Sequence, residues 1–152
     1  MIDGTRAPNQ AAINAAVALC LSRGARPTLA RRMVLEILAH ASKPMSAYAV
    51  LDVIRAGRPS AAPVMVYRAL AFWRREGVIV RLDSISAYQL SLCERDEGST
   101  YLICTGCGTV EQVTLPITPG QLAQHPLAEG FRPTSDHIEI TGTCQRCQTS
   151  GD

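Results

Sequence analysis

The sequence predicts an α+β fold in two parts, on three observations. The first half reads as four helical segments that run directly into two short strands. The second half reads as short strands with one helix among them, and it holds two Cys-x-x-Cys pairs, Cys104/Cys107 and Cys144/Cys147, 36 residues apart. Helices followed at once by a two-stranded ribbon describe a winged helix-turn-helix. The paired cysteines describe a small α/β domain stapled by a metal ion.

The first helix covers NQAAINAAVALCLSRG (9–24) and stops at Gly24. Thr28 is a good N-cap for LARRMVLEILAHA, where Val34, Ile37, Leu38 and Ala41 recur at helical spacing and Lys43-Pro44 ends the run. Ser46 caps AYAVLDVIRA, closed by Gly57. Ser60 precedes AAPVMVYRALAFWRREG, in which Pro63 fits the first turn, where its missing N–H costs nothing, and Gly77 closes the helix. The pattern then turns to β: VIVRL (78–82), a polar turn DSIS, and AYQLSL (87–92) with period-two alternation. The acidic CERDEGS is a linker, and beyond it YLIC, TVEQVTL and HIEIT read as strands, with a helix at PGQLAQHPLAEG (119–130). The boundaries are therefore 1–92 for the winged helix with its N-terminal helix, 93–98 for the linker and 99–152 for the second domain.

Charge separates the same two parts. Residues 1–81 carry twelve Arg or Lys against four Asp or Glu, whereas residues 82–152 carry three against nine. The basic half suits an anionic partner. The longest near-apolar run, AAINAAVALCL (11–21), is too short to span a membrane, and MIDGTRAPNQ is a poor signal-peptide start. A cytoplasmic location is expected, and there paired cysteines more often hold metal than form disulfides.

Four thiolates make a closed tetrahedral zinc site, structural rather than catalytic, and Gly108 directly after Cys107 suits the tight turn such a pair needs. Disulfides and a redox pair are the alternatives. Cys20, inside an apolar helical run, reads as a small buried hydrophobe.

In the fourth helix Val66, Leu70 and Trp73 share one face, so Tyr67, Arg68, Arg74 and Arg75 lie off it. With Arg31 and Arg32 at the start of the second helix they form a candidate DNA-binding surface, because a recognition helix sets such side chains against base edges and phosphates.

The pieces RPTLARRMVLEIL, APVMVYRALAFWRREGVIVRLDSISAYQL, YLICTGCGTVEQV and GFRPTSDHIEITGTCQRC together resemble the ferric-uptake-regulator family of metal-responsive bacterial repressors, most closely its zinc-uptake branch. The resemblance runs from about residue 25 to 148. It implies a homodimer, with the second domain as the dimerisation domain, that represses metal-uptake genes from a palindromic operator. It places the structural zinc on Cys104, Cys107, Cys144 and Cys147 and the recognition-helix Tyr and Arg on Tyr67 and Arg68. It also implies a second, regulatory zinc. Several expected ligand positions differ: the branch's usual His falls on Val80, its wing Cys near Ser91, and its carboxylate on Gln112. The donors left for that ion are Cys93, Glu97, Glu111 and His137, with Asp136 competing for the last place. The alternative is a family member that has lost this site and binds DNA constitutively, or a protein-interaction module. Steep salt dependence separates DNA binding from protein docking. An enzyme is not expected: the chain has no Gly-rich phosphate loop, and its three scattered His offer no open metal site.

Overall fold

The computed structural model describes residues 10–91 and 99–149. The chain divides into two compact units, Met1–Leu92 and Cys93–Asp152. Among the described residues no helix is long and apolar enough to cross a membrane.

The first unit runs α1 (Gln10–Ser22), α2 (Leu29–His40), α3 (Ala47–Gly57), α4 (Pro63–Arg75), β1 (Ile79–Leu82) and β2 (Ala87–Leu90). Side-chain caps start two of the helices. Thr28 Oγ1 accepts from the Arg31 amide at 3.4 Å and Ser46 Oγ from the Ala49 amide at 3.1 Å. Each cap contributes about 1 kcal/mol, because it satisfies an amide that the first turn leaves without an acceptor. The fourth helix starts otherwise: its N-cap is Ala62, with no side-chain bond, and Pro63 supplies the start through its fixed φ. Just beyond its C-cap, Glu76, the φ of 77° at Gly77 turns the chain so that Val78 N–H donates to Trp73 O at 3.0 Å.

Apolar spacing decides what these helices bury. Val34, Leu35 and Leu38 of α2, Val50, Leu51 and Ile54 of α3, and Val66, Leu70 and Trp73 of α4 form one core with Ile13 and Cys20 of α1. Each large side chain in it stabilises the unit by about 1.5–3 kcal/mol. The inward commitment of α4 leaves Tyr67, Arg68, Arg74 and Arg75 exposed. The strands β1 and β2 pair antiparallel, Ile79 opposite Leu90 and Leu82 opposite Ala87. Their turn is a short 3-10 helix, Asp83–Ile85, followed by Ser86 at φ 49°. Met45 and Tyr88 exchange backbone hydrogen bonds of 2.9 and 2.8 Å, which ties the ribbon to the segment ahead of α3. Helices and ribbon together make a winged helix.

The second unit contains β3 (Ser99–Cys104), β4 (Val110–Thr114), α5 (Pro119–Ala123), β5 (Ile138–Gly142) and α6 (Gln145–Thr149). Its sheet has the order β4-β3-β5, with β3 antiparallel to β4 and parallel to β5. The helix expected over 119–130 is shorter. A capping box between Thr118 and Gln121 specifies the start of α5. Pro126 then breaks the run, because it lacks an N–H and disfavours helical geometry in the residue before it; His125 has ψ 137°. A 3-10 turn, Pro126–Ala128, replaces the second half. The five residues of α6 are too few for hydrophobic periodicity to announce them.

Candidate functional site

The sheet brings the two cysteine pairs together. Cys104 ends the central strand β3, and the parallel register sets it opposite Gly142 at the end of β5. The chain leaving β5 therefore delivers Cys144 beside Cys104, and the first turn of α6 presents Cys147. Thr105 fastens this junction, with its N–H and its hydroxyl both donating to Gly142 O, at 2.8 and 3.2 Å. The Cys104–Cys107 turn closes on itself: Gly108 N–H donates to Cys104 O and Cys104 N–H to Thr109 O, both at 2.9 Å. Gly108 adopts φ 72° there, a conformation a side chain would strain.

The four Sγ atoms lie within 4.8 Å of one another. Those of Cys107 and Cys144 are 3.7 Å apart. Zinc held tetrahedrally by bonds of about 2.3 Å sets its sulfurs roughly 3.8 Å apart, whereas a disulfide needs about 2.05 Å. The cluster therefore fits zinc.

The protonation of the thiols points the same way. Cys144 N–H, donating to Cys104 Sγ at 3.2 Å, and then Cys107 N–H hold the Cys104 thiol down at about 6. The Thr109 side chain and then its backbone N–H lower Cys107. Cys147 is pushed up to about 12, first by its hydrogen bonding with Cys144 and then with Cys104 and Cys107. Sulfurs this close cannot all ionise unless a cation among them offsets their mutual repulsion.

Space is as tight as charge. A Cβ on Gly106 would stand 3.1 Å from Cys147 Sγ and 3.4 Å from Cys147 Cβ. Gly106→Ala is therefore expected to displace that sulfur by a few tenths of an ångström and weaken metal retention on the order of 10-fold. Competition with a chromogenic chelator measures this; retention equal to wild type would show that the site has slack.

His137 sits elsewhere in the unit, buried, with its ring edge-on to Tyr101 at 5.2 Å between centroids. Its Nδ1 is 3.0 Å from an Asp136 carboxylate oxygen and its Nε2 3.0 Å from one of Glu139. Glu139 is a participant that the sequence pattern does not single out, although His-x-Glu on a strand places both side chains on one face. Glu111 departs from the expected regulatory set. The register pairs it with Leu102, while Glu139 pairs with Tyr101. Neighbouring strand residues face opposite ways, so Glu111 lies across the sheet from His137 and the two cannot share an ion. Gln112, at the position where the family resemblance expects a carboxylate, stands in the row with Tyr101 and Glu139. Cys93 and Glu97 lie outside the described residues.

The expected DNA-binding residues divide. Tyr67, Arg68 and Arg74 are exposed on α4, and Arg32 is exposed on α2. Arg31 is only partly exposed, and its guanidinium lies 3.9 Å from the centroid of the Phe72 ring. Glu76, at the end of α4, is drawn off by Arg23 at 3.5 Å and Arg75 at 3.9 Å, so its charge does not oppose the basic face.

Known proteins match this architecture closely. The zinc uptake regulation protein of Escherichia coli (strain K12) is 30% identical over 131 residues, which cover 85% of this chain and 77% of that protein. A solved zinc uptake regulator complexed with zinc and DNA superposes with a TM-score of 0.79 at 31% identity, covering 93% of this chain and 95% of the other. The holo form of XcZur superposes with a TM-score of 0.76 at 32% identity, covering 90% of this chain and 96% of that one. The model of the ferric uptake regulator family matches residues 22–141. With the winged helix, the sheet and the four-thiol cluster in place, the chain belongs to the ferric uptake regulator family.

Proposed function

We propose that the protein is a zinc-responsive, sequence-specific DNA-binding repressor that controls metal-uptake genes as a homodimer, and that it is a regulator and not an enzyme. The observation that carries this reading is the outward face of α4, where Tyr67, Arg68 and Arg74 are exposed on a helix that has three Arg and no acidic residue. In this reading residues 1–92 form the DNA-binding domain, 93–98 the linker and 99–152 the dimerisation domain. Tyr67 and Arg68 address the major groove, and Arg32 and Arg74 the phosphates. Leu102 and Ile140, register partners on one sheet face and both exposed, support a second copy as the partner of the second unit. Two-fold symmetry of the dimer then calls for a palindromic operator. A structural zinc on Cys104, Cys107, Cys144 and Cys147 would supply a cross-link between the ends of β3 and β5. A second zinc is the effector, with Cys93, Glu97 and His137 as its proposed donors, and it acts by binding the DNA-competent state in preference. The protein works in the cytoplasm, where the DNA is.

Selection of random duplexes by zinc-replete protein, followed by titration of the enriched duplex with and without chelator, tests the reading. Enrichment of a two-fold symmetric site is expected, bound more weakly after mild chelation. Its log K should fall by about 0.9 for each neutralised phosphate per tenfold rise in salt. Failure to enrich any sequence would defeat it.

A further inference from the structure

Arg31 has a different job from the other arginines of the first unit. Its amide, its carbonyl and one guanidinium nitrogen are engaged within the protein. Its amide is the one capped by Thr28, its Nη1 donates to Arg26 O at 3.3 Å, and its carbonyl accepts the indole N–H of Trp73 at 2.7 Å. Its guanidinium carbon lies 3.9 Å from the Phe72 ring centroid. Phe72 and Trp73 are both buried and meet edge to face at 5.0 Å. One residue of α2 thus grips two adjacent aromatic residues of α4, through its backbone on one and its side chain on the other. Tyr67 and Arg68 lie little more than a turn earlier on the same helix. The direction in which they point is set by the roll of α4 about its own axis. Apolar packing alone resists small rolls weakly, because it is non-directional. A hydrogen bond to an indole and a planar cation laid on a ring are directional, and both break when the helix rolls.

We propose that Arg31 is a positioning residue for the DNA-reading helix, holding the roll of α4 through Phe72 and Trp73, and is not a phosphate contact. The inference rests on α4 being the helix that reads DNA. Arg and Lys differ here in a useful way: both carry the charge a phosphate needs, but only guanidinium has a plane to lay on a ring.

The test is equilibrium binding of the full-length, zinc-replete protein to its selected duplex across a range of salt, for wild type, Arg31→Lys and Arg31→Ala. Emission of Trp73, the chain's single tryptophan, is recorded without DNA on the same samples. Both variants are expected to bind severalfold more weakly, roughly 3- to 10-fold. Both should keep the wild-type slope of log K against log salt and shift the Trp73 emission. A phosphate contact would give the reverse and overturn the proposal: Lys close to wild type, a slope shallower by about 0.9 in Ala, and unchanged emission. The Lys variant preserves charge and bulk, so it decides the question even if the Ala variant does not fold. A wild-type protein that binds no duplex defeats the DNA reading instead, while the emission of Arg31→Lys still reports on the joint between α2 and α4.

Discussion

Cys144→Ser protein is expected to purify without stoichiometric zinc and to run as a monomer on size exclusion. A serine hydroxyl stays protonated near neutral pH, so one vertex of the four-sulfur cluster is lost, and that cluster is where β3, β5 and α6 meet. Structural zinc contributes about 10–16 kcal/mol in zinc-finger peptides, as much as the whole stability of a typical domain, about 5–15 kcal/mol. The second unit should therefore lose amide protection in hydrogen exchange. The first unit, with its own core of Val34, Leu35, Leu38, Val66, Leu70 and Trp73, should keep it. Zinc content and dimer unchanged from wild type would remove the metal from the scaffold. Acid should act in the same direction and reversibly, because protons compete with zinc for sulfur. In the metal-free cluster the Cys144 and Cys107 N–H groups hold Cys104 down at about 6, whereas hydrogen bonding with Cys144 pushes Cys147 up to about 12. The stabilisation that Cys104 draws from its hydrogen bonds as a thiolate is fully present above about pH 9 and is lost as pH falls through about 6. Zinc release to a colorimetric chelator should rise accordingly on acidification.

Arg68→Ala should weaken binding to the selected duplex by about 1–3 kcal/mol while leaving affinity for scrambled duplex nearly unchanged. Its side chain, like that of Tyr67, is exposed on α4, as that of a base-reading arginine must be. Tyr67→Phe, which removes only a hydroxyl, should cost less, about 0.5–1.5 kcal/mol. Competition titrations with specific and scrambled duplexes separate the two effects. Equal losses on both duplexes would reassign Arg68 to the phosphates.

The legible parts of this protein are those that strong local rules govern. Thr28 and Ser46 announced their helices because an N-cap is a chemical requirement of the first turn. The inward face of α4 followed from Val66, Leu70 and Trp73, and the turn at Gly108 from its place beside Cys107. What was not legible depends on pairing between distant segments. No local pattern sets Glu111 opposite Leu102 and Glu139 opposite Tyr101; only the register does. A one-residue difference in register exchanges the two faces, so the sequence alone could not say that Glu139 and not Glu111 stands on the face of His137. The contact of Arg31 with Phe72, 41 positions along the chain, was likewise beyond local pattern, which shows only a basic residue at a helix start.

The junction where Cys144 N–H meets Cys104 Sγ joins positions separated by 40 in the chain. Closing a loop of that length costs an unfolded chain about 3 kcal/mol in entropy, and the parallel pairing of β3 with β5 cannot form until it is closed. A zinc ion held first by Cys104 and Cys107 and then by Cys144 and Cys147 would close it in advance. Chains made while zinc is plentiful are therefore expected to complete this sheet sooner than chains made in scarcity.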